Sequence, residues 1–162
     1  MKVIEKYNDS AHNPYWKYQL GPESYEVKDT PRRVEVIKEA LRRDDNFEFV
    51  TASGFPERLL ASLHPYHDYI RRTAESLREG EEFYPDLFPG EQALLPRRVD
   101  EPLWGGIWCT DAVTPIQSKT YAVARASAET ALTGAELLRE GGEKVVYALC
   151  RPSGHHAGPR VF

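Results

Sequence analysis

The sequence lacks the features of a membrane protein and of a disulfide-rich secreted protein. No apolar run approaches the roughly 18–20 residues that cross a bilayer. Glu5 and Lys6 interrupt the region where the apolar core of a signal peptide would lie. There are only two cysteines, Cys109 and Cys150. Two well-separated cysteines are more often buried thiols in a reducing compartment than a disulfide, although the sequence leaves a disulfide open. We therefore expect a cytoplasmic protein.

An excess of basic residues is also missing. The 21 lysines and arginines are outnumbered by 25 aspartates and glutamates, which gives a net charge of -4. A general nucleic-acid binder would present a basic face, so this class is disfavoured, whereas a cationic substrate is compatible with the charge. With 41% apolar and 28% charged residues and no internal repeat, residues 1–162 are typical of one globular domain with a proper core.

Apolar residues in the first half of the chain predict strands that alternate with helices. Thr30 and Pro31 are typical of a helix start, with threonine as N-cap and proline at the first helical position. Val34, Ile37 and Leu41 then form one apolar stripe. The predicted order is a strand at 3–4, a long loop at 8–29, this helix, a strand at 47–50, helices at 56–63 and 65–80, and a second long loop at 81–114. Long loops inside compact domains tend to be functional.

The second half of the chain is predicted to hold one long helix and one buried strand. Thr114 and Pro115 repeat the helix-start signal, and the alanine-rich helix that follows should end at Gly141 and Gly142. Residues 145–150 form a continuous apolar run, which is typical of a strand buried on both faces of a sheet. Together these elements predict an α/β, three-layer fold with a mostly parallel sheet flanked by helices.

Two adjacent histidines, His155 and His156, follow this strand. Ligands of open α/β sheets bind at the carboxyl ends of the strands, and Pro152 and Gly154 suit a sharply turned loop there. Imidazole titrates near neutral pH, so adjacent histidines can serve as acid and base. The alternative is that they are surface or packing residues, because a His-His pair by itself is weakly specific.

The segment around this pair resembles the signature of the histone deacetylase and acetylpolyamine amidohydrolase family. Residues 149–157 read Leu-Cys-Arg-Pro-Ser-Gly-His-His-Ala, where the family normally has Arg-Pro-Pro-Gly-His-His-Ala, so Ser153 replaces a proline. His64 before a helix with Tyr69 and Ile70 is also similar to the family, as is Gly-Ile-Trp-Cys at 106–109. The resemblance covers nearly the whole chain, but only the His-His motif is specific.

This resemblance implies an incomplete arginase/deacetylase fold, with residues 1–162 as the N-terminal portion of one deacetylase-like domain. It implies a zinc-dependent deacetylase in which a metal-activated water hydrolyses an acetylated amine, either an acetylpolyamine or acetyl-lysine. By the resemblance, His156 is the general base and later the acid, and His155 is its electrostatic partner. No segment matches the family's zinc ligands. We therefore expect a truncated chain that binds no Zn2+ alone and is inactive by itself.

Four residues are candidates for contact with the substrate. Asp100 and Glu101 lie in the second long loop, where the family often places an acidic residue that holds substrate. A carboxylate there attracts the ammonium group of a polyamine or lysine. Trp108 would line an aromatic channel, and Gly154 lies beside the histidine pair. The alternatives are that the two acids are solvated and that the tryptophan is a minor core residue.

The other histidines do not suggest a separate metal site. His64 and His67 are three residues apart with Pro65 between them, whereas zinc needs three or four ligands within tetrahedral reach. By the resemblance, His64 is a structural or pocket-rim residue. His12 lies in the first long loop, where it either lines the entrance to the site or is an exposed loop histidine.

Three functions stay open from the sequence. The first is the deacetylase part just described. The second is an inactive deacetylase-like module that acts through oligomerisation or partner binding, because a chain that ends at Phe162 should leave one edge of the strand at 145–150 unpaired. The third is a metal-free enzyme that uses His155 and His156 alone. We expect self-association or pairing with a missing C-terminal part, and no nucleic-acid or membrane partner.

Overall fold

The computed structural model describes residues 1–6, 11–14, 17–20, 22–26, 29–84, 108–109, 115–159 and 161–162. The strands are β1 (Lys2–Glu5), β2 (Lys17–Leu20), β3 (Glu23–Glu26), β4 (Glu48–Thr51), β5 (Glu82–Phe83), β6 (Ile116–Gln117) and β7 (Val146–Ala148). The helices are α1 (Pro31–Leu41), α2 (Glu57–Leu63), α3 (His67–Ser76) and α4 (Thr120–Arg139). The chain divides into two compact units, each assembled from several segments. The predicted single domain stays a prediction.

The first unit consists of Met1–Asn13, Val27–Phe55 and Ala122–Ser153, and it contains a parallel sheet. Strand β1 is central, with β4 on one side and β7 on the other. Both pairs are parallel, and Lys2 is opposite Glu48 in one pair and opposite Val146 in the other. Parallel neighbours need long crossover connections, usually helical. Helix α1 lies between β1 and β4 along the chain, and α4 lies between β4 and β7.

Helices cover both faces of this sheet. Side chains alternate along a strand, so the fully buried Val3 and Ile4 of β1 point to opposite faces. Val3 packs in a core with Val34 of α1 and with Leu149. Ile4 faces α4, since its Cδ1 atom lies 3.6 Å from the place that a Cβ on Gly134 would occupy. The predicted layering of helix, parallel sheet and helix is therefore confirmed.

Helix α1 begins where the sequence predicts. Thr30 is the N-cap residue and Pro31 is at the first helical position, but the Thr30 side chain makes no capping hydrogen bond. The fixed φ of proline is therefore the stronger start signal here. Ile37 and Leu41 pack against the same core as Val34. The strands predicted at 3–4 and 47–50 and the helix predicted at 56–63 are confirmed as β1, β4 and α2.

The strand predicted at 145–150 exists, but its burial on both faces is wrong. Strand β7 is limited to Val146–Ala148, where Tyr147 is 39% exposed, and the preceding Val145 is 61% exposed. In the described part of the chain β7 is an edge strand, so its apolar side chains are only partly covered. Leu149, just beyond the strand, is buried. An apolar run does not distinguish a central strand from an edge strand.

The second unit consists of Pro14–Glu26, Pro56–Tyr121 and Gly154–Phe162, and its core is aromatic. Tyr66, Tyr69 and Trp108 are buried together with Ala74 and Ile116. Helix α3 supplies Tyr69 and Ala74, which are five residues apart, and Tyr66 is its N-cap residue. Two short antiparallel pairs, β2 with β3 and β5 with β6, complete the described secondary structure of this unit.

Two loop predictions and two helix boundaries are wrong. The predicted loop at 8–29 contains the β2–β3 pair, and the predicted loop at 81–114 contains β5, although most of that loop lies outside the described residues. Helix α4 begins at Thr120, not at Thr114 and Pro115, because Ile116 pairs with Phe83 and the Thr120 hydroxyl accepts the Gln117 N–H. Helix α3 ends at Ser76 and not at Gly80, because Leu77 is extended.

The end of α4 agrees with the prediction, whereas the two cysteines differ from each other in burial. Gly141 has a φ of 76°, a value that favours glycine, which confirms the predicted helix stop. Cys109 and Cys150 are both thiols that form no disulfide. Cys109 is buried as expected, whereas Cys150, just after the edge strand, is exposed and not buried. Among the described residues, no helix has the length and apolarity to cross a membrane.

Candidate active site

The segment that leads to the histidine pair is held where it leaves β7. Arg151 is buried, with 2% exposure. Its Nη1 atom donates to the backbone oxygen of His12 at 2.5 Å, and its Nη2 atom donates to the backbone oxygen of Asp29 at 2.6 Å. A buried charge is costly unless it is paired and hydrogen-bonded, and the Nε atom lies 3.4 Å from Asp29 Oδ1. Both requirements are met here.

Asp29 also binds the backbone of this segment. Its Oδ2 atom accepts the N–H of Ser153 at 2.9 Å, two residues before His155. No sequence motif pointed to Asp29. Its one local signal was its place directly before Thr30 and Pro31 at the start of α1, and this signal says nothing about a partner 124 residues away.

The two histidines themselves are side by side and exposed. The ring centroids of His155 and His156 are 4.0 Å apart, and the ring planes are inclined by 58°. The preceding Gly154 is exposed, and its carbonyl accepts the N–H of Ala157 at 2.9 Å, which turns the chain around the pair. The structure therefore brings His155, His156 and Gly154 together. Their chemical roles stay predictions.

The chain is held again after the histidine pair. The N–H of Gly158 donates to the carbonyl of Val161 at 2.8 Å, and the N–H of Phe162 donates to the carbonyl of Trp108 at 2.8 Å. The Phe162 ring centroid lies 5.3 Å from that of Tyr66, within the aromatic core of the second unit. The histidines thus lie between two segments with defined hydrogen bonds.

His12 is buried, so its interpretation as an exposed loop histidine is wrong. Burial, and then the positive charge of Arg151, lower the pKa of His12 from 6.5 to about 4, although Asp29 acts in the opposite direction. His12 is therefore neutral at neutral pH and adds no second positive charge beside Arg151. Its other interpretation, as a residue that lines the entrance to the site, stays a prediction.

His64 and His67 lie in the second unit and make side-chain contacts there. The His64 Nδ1 atom is 2.7 Å from the Tyr66 hydroxyl, and burial raises the pKa of that phenol. His67 is buried, and its Nε2 atom lies 3.1 Å from the hydroxyl of Tyr121. The same hydroxyl donates to Glu57 at 2.9 Å. These contacts favour the structural interpretation of His64.

The described residues do not form a site that fits zinc. Within the ranges that the structure covers, no three His, Cys, Asp or Glu side chains are grouped closely enough to hold a metal ion. Structural and catalytic zinc sites need at least three protein ligands. Adjacent imidazoles at 155 and 156 supply two nitrogen-bearing rings and no third ligand.

Of the predicted substrate contacts in the second long loop, the structure describes Trp108 only. Trp108 is 2% exposed and packs edge-on against Tyr66, with 6.4 Å between ring centroids. This position favours a core residue, so its contact with substrate stays a prediction. Asp100 and Glu101 lie outside the described residues.

A family profile and curated relatives match this chain by sequence. The profile of the histone deacetylase domain matches residues 27–161. Acetylpolyamine amidohydrolase 1 of Pseudomonas aeruginosa is 30% identical over 137 residues, which cover 79% of this chain and 39% of that protein. Acetylpolyamine amidohydrolase of Mycoplana ramosa is 42% identical over 57 residues, which cover 35% of this chain and 16% of that protein. The chain thus matches less than half the length of these relatives.

Solved structures give the same fold. The crystal structure of acetylpolyamine aminohydrolase from Burkholderia pseudomallei matches all of this chain and 48% of its own, with a TM-score of 0.80 and 24% identity. The HDA15 HD domain matches all of this chain and 39% of its own, with a TM-score of 0.69 and 18% identity. The fold is therefore that of the deacetylases, in an incomplete form. The histone deacetylase domain profile matches most of the length of this chain, and the chain therefore belongs to the histone deacetylase domain family.

Proposed function

We propose that this chain is the N-terminal part of a zinc-dependent deacetylase that hydrolyses acetylated amines, and that it contributes the acid/base pair His155 and His156. The observation that carries the proposal is the position of the pair. Its two rings are in contact and exposed, they follow a strand of a parallel sheet, and segments with defined hydrogen bonds flank them. Catalytic groups of α/β sheets are found after the carboxyl ends of strands.

In the proposed reaction His156 acts first as a general base and then as a general acid. His156 accepts a proton from the water that attacks the acetamide carbonyl, and then donates a proton to the nitrogen of the leaving amine. His155 supports the charge that His156 acquires.

Zinc belongs to the complete enzyme in this proposal. When bound, it would polarise the carbonyl and lower the pKa of the attacking water. We place its ligands outside the described residues, because the described ones do not fit it. We therefore expect this chain alone to bind no stoichiometric zinc and to release no acetate.

The proposed substrate is an acetylated polyamine, with acetyl-lysine in a protein as the second choice. The support is that the matched relatives from Pseudomonas aeruginosa and Mycoplana ramosa are acetylpolyamine amidohydrolases by name. Asp100 and Glu101 are the proposed partners of the substrate ammonium group, and Gly154 and Trp108 are further proposed contacts. We place the protein in the cytoplasm, because two well-separated cysteines without a disulfide are typical of a reducing compartment.

A chimeric enzyme tests this function. Residues 1–162 replace the segment that they match in the Pseudomonas aeruginosa relative, and acetate release is measured with an acetylated polyamine and with an acetyl-lysine peptide. We expect zinc-dependent release, faster with the polyamine, and a loss of about 100-fold to 10,000-fold in His156→Ala, the usual contribution of a general acid/base.

The control for this test is Lys144→Ala, a change at an exposed residue ahead of β7, which should leave acetate release unchanged. A folded, zinc-loaded chimera that releases no acetate would contradict the proposal, as would full activity in His156→Ala. Stoichiometric zinc together with acetate release from the isolated 162-residue chain would refute the claim that this chain is inactive alone.

An inactive module that acts through assembly is the second candidate. The edge strand β7 favours it, because the exposed Val145 and Tyr147 lie along an edge that has no strand neighbour in the described residues. Unpaired edges invite pairing with another chain. Light scattering should then show association that rises with concentration and weakens in Tyr147→Lys. A stable monomer at every concentration would contradict this candidate.

A further inference from the structure

We propose that Asp29 is a positioning residue for His155 and His156, an inference that rests on the proposed role of this pair. Asp29 does not contact either ring in this proposal. It acts through residues 151–153, the backbone segment that leads from β7 to the histidines.

The contacts of Asp29 are divided between the two ends of this segment. Oδ1 lies 3.4 Å from the Nε atom of Arg151, and Oδ2 accepts the backbone N–H of Ser153 at 2.9 Å. Hydrogen bonds to a carboxylate are roughly twice as strong as those between neutral groups. One side chain therefore holds the first residue of the segment by an ion pair and the third by a hydrogen bond.

Arg151 gives this arrangement a rigid base. It is 2% exposed, and its two terminal nitrogens donate to the carbonyls of His12 and Asp29 at 2.5 and 2.6 Å. Asp29 itself lies directly before Thr30 and Pro31, where α1 begins. It also forms an ion pair of 3.7 Å with Arg33 in the first turn of the helix. The carboxylate is thus held by a helix on one side and holds the segment on the other.

The position of Ser153 connects this arrangement to the chemistry. Ser153 precedes His155 by two residues, and a chain extends at most about 3.3–3.6 Å per residue, so the Cα atom of His155 lies within about 7 Å of that of Ser153. A misplacement of about 1 Å in a catalytic group can cost roughly 100-fold in rate. Supporting contacts that fix the backbone are therefore part of a working site.

Hydrogen exchange in the 162-residue chain tests the proposal without any assay of activity. We would measure the exchange rate of the Ser153 amide and the imidazole signals of His155 and His156 by NMR, in the parent and in Asp29→Ala. The Ser153 amide should exchange roughly 10-fold to 100-fold faster in the variant, because it loses a hydrogen bond to a charged acceptor. The signals of both histidine rings should shift or broaden.

Two further variants sharpen the result. Asp29→Asn keeps an acceptor oxygen but removes the charge, so it should give an intermediate exchange rate, and it carries the test where Asp29→Ala fails to fold. Asp44→Ala is the matched control, because Asp44 also accepts a backbone N–H, that of Asn46, at 3.0 Å. It should leave the Ser153 exchange rate and both histidine signals unchanged.

The outcomes separate this inference from the proposed function. Unchanged exchange at Ser153 and unchanged histidine signals in a folded Asp29 variant would overturn the positioning role, whatever the chain catalyses. In the chimeric enzyme, Asp29→Asn should lower kcat at least 10-fold with little change in KM, and an unchanged kcat would overturn the role as well. A parent chimera without activity contradicts the proposed function alone, since the exchange experiment does not use it.

Discussion

Replacing Gly134 by valine should destabilise the first unit, because α4 lies close to the sheet at Gly134. A Cβ at this position would lie 3.3 Å from Val146 Cγ2 and 3.6 Å from Ile4 Cδ1. The Cβ of an alanine here would be crowded only by Val146 Cγ2. Alanine also gains about 1 kcal/mol in helix propensity over glycine, so Gly134→Ala should be neutral or slightly stabilising. Valine adds two methyl groups that must enter the space of buried side chains.

The magnitude follows from two opposing effects. Overpacking a well-packed core costs about 1–3 kcal/mol, and valine recovers a few tenths of a kcal/mol of helix propensity relative to glycine. Gly134→Val should therefore lose about 1–2.5 kcal/mol in the free energy of unfolding, measured by urea denaturation with circular dichroism. The control is Ala135→Val at the exposed neighbouring position, which should cost about 0.5 kcal/mol. Equal stability of Gly134→Val and Gly134→Ala would refute the close approach of α4 to the sheet.

Three further predictions concern polar side chains that are buried or that contact a buried side chain. The pKa of His12 falls from 6.5 to about 4 on folding, so the free energy of unfolding should be highest above pH 6.5 and decline by up to about 3 kcal/mol as the pH falls to 4. In urea titrations His12→Gln should flatten this decline. An equally steep decline in the variant would contradict the assignment. Glu129 is buried, which by itself raises its pKa, but Lys6, the Phe55 N–H and Arg125 lower that pKa overall. Ionised Glu129 therefore stabilises the fold above about pH 4.5, and this stabilisation is lost in acid. Glu129→Ala should cost about 2–4 kcal/mol in the free energy of unfolding at pH 7, and a loss under 1 kcal/mol would count against these contacts of Glu129. Tyr121→Phe removes the hydroxyl between Glu57 and His67 and should cost about 1 kcal/mol and shift the His67 ring signals in NMR spectra, whereas unchanged signals would argue against that contact.

Local signals explain what could be predicted from the sequence. The proline at residue 31 and the apolar stripe of α1 depend on neighbours in the chain, and so does the glycine stop after α4, so these elements were predicted correctly. The family was predicted from one short segment around His155 and His156, and the domain profile confirms it.

What the sequence did not reveal depends on distant partners. The exposure of Tyr147 depends on which strands lie beside β7, and no local pattern states this. The β2–β3 pair was missed because its residues are mostly polar and flank Gly21 and Pro22, which read as a loop. Asp29 was missed because its partners, Arg151 and Ser153, are more than 120 residues away in the chain.

The central position of β1 has a consequence for biosynthesis. Lys2 pairs with Glu48 and with Val146, so the ribosome adds 45 residues after Lys2 before the first partner strand begins and 143 before the second. Contacts of such long sequence separation slow folding and leave apolar strands uncovered in the meantime. Val3 and Ile4, which are fully buried in the finished sheet, therefore lack at least one partner strand until synthesis reaches Val146. We expect this short segment to be a binding site for chaperones that act during translation.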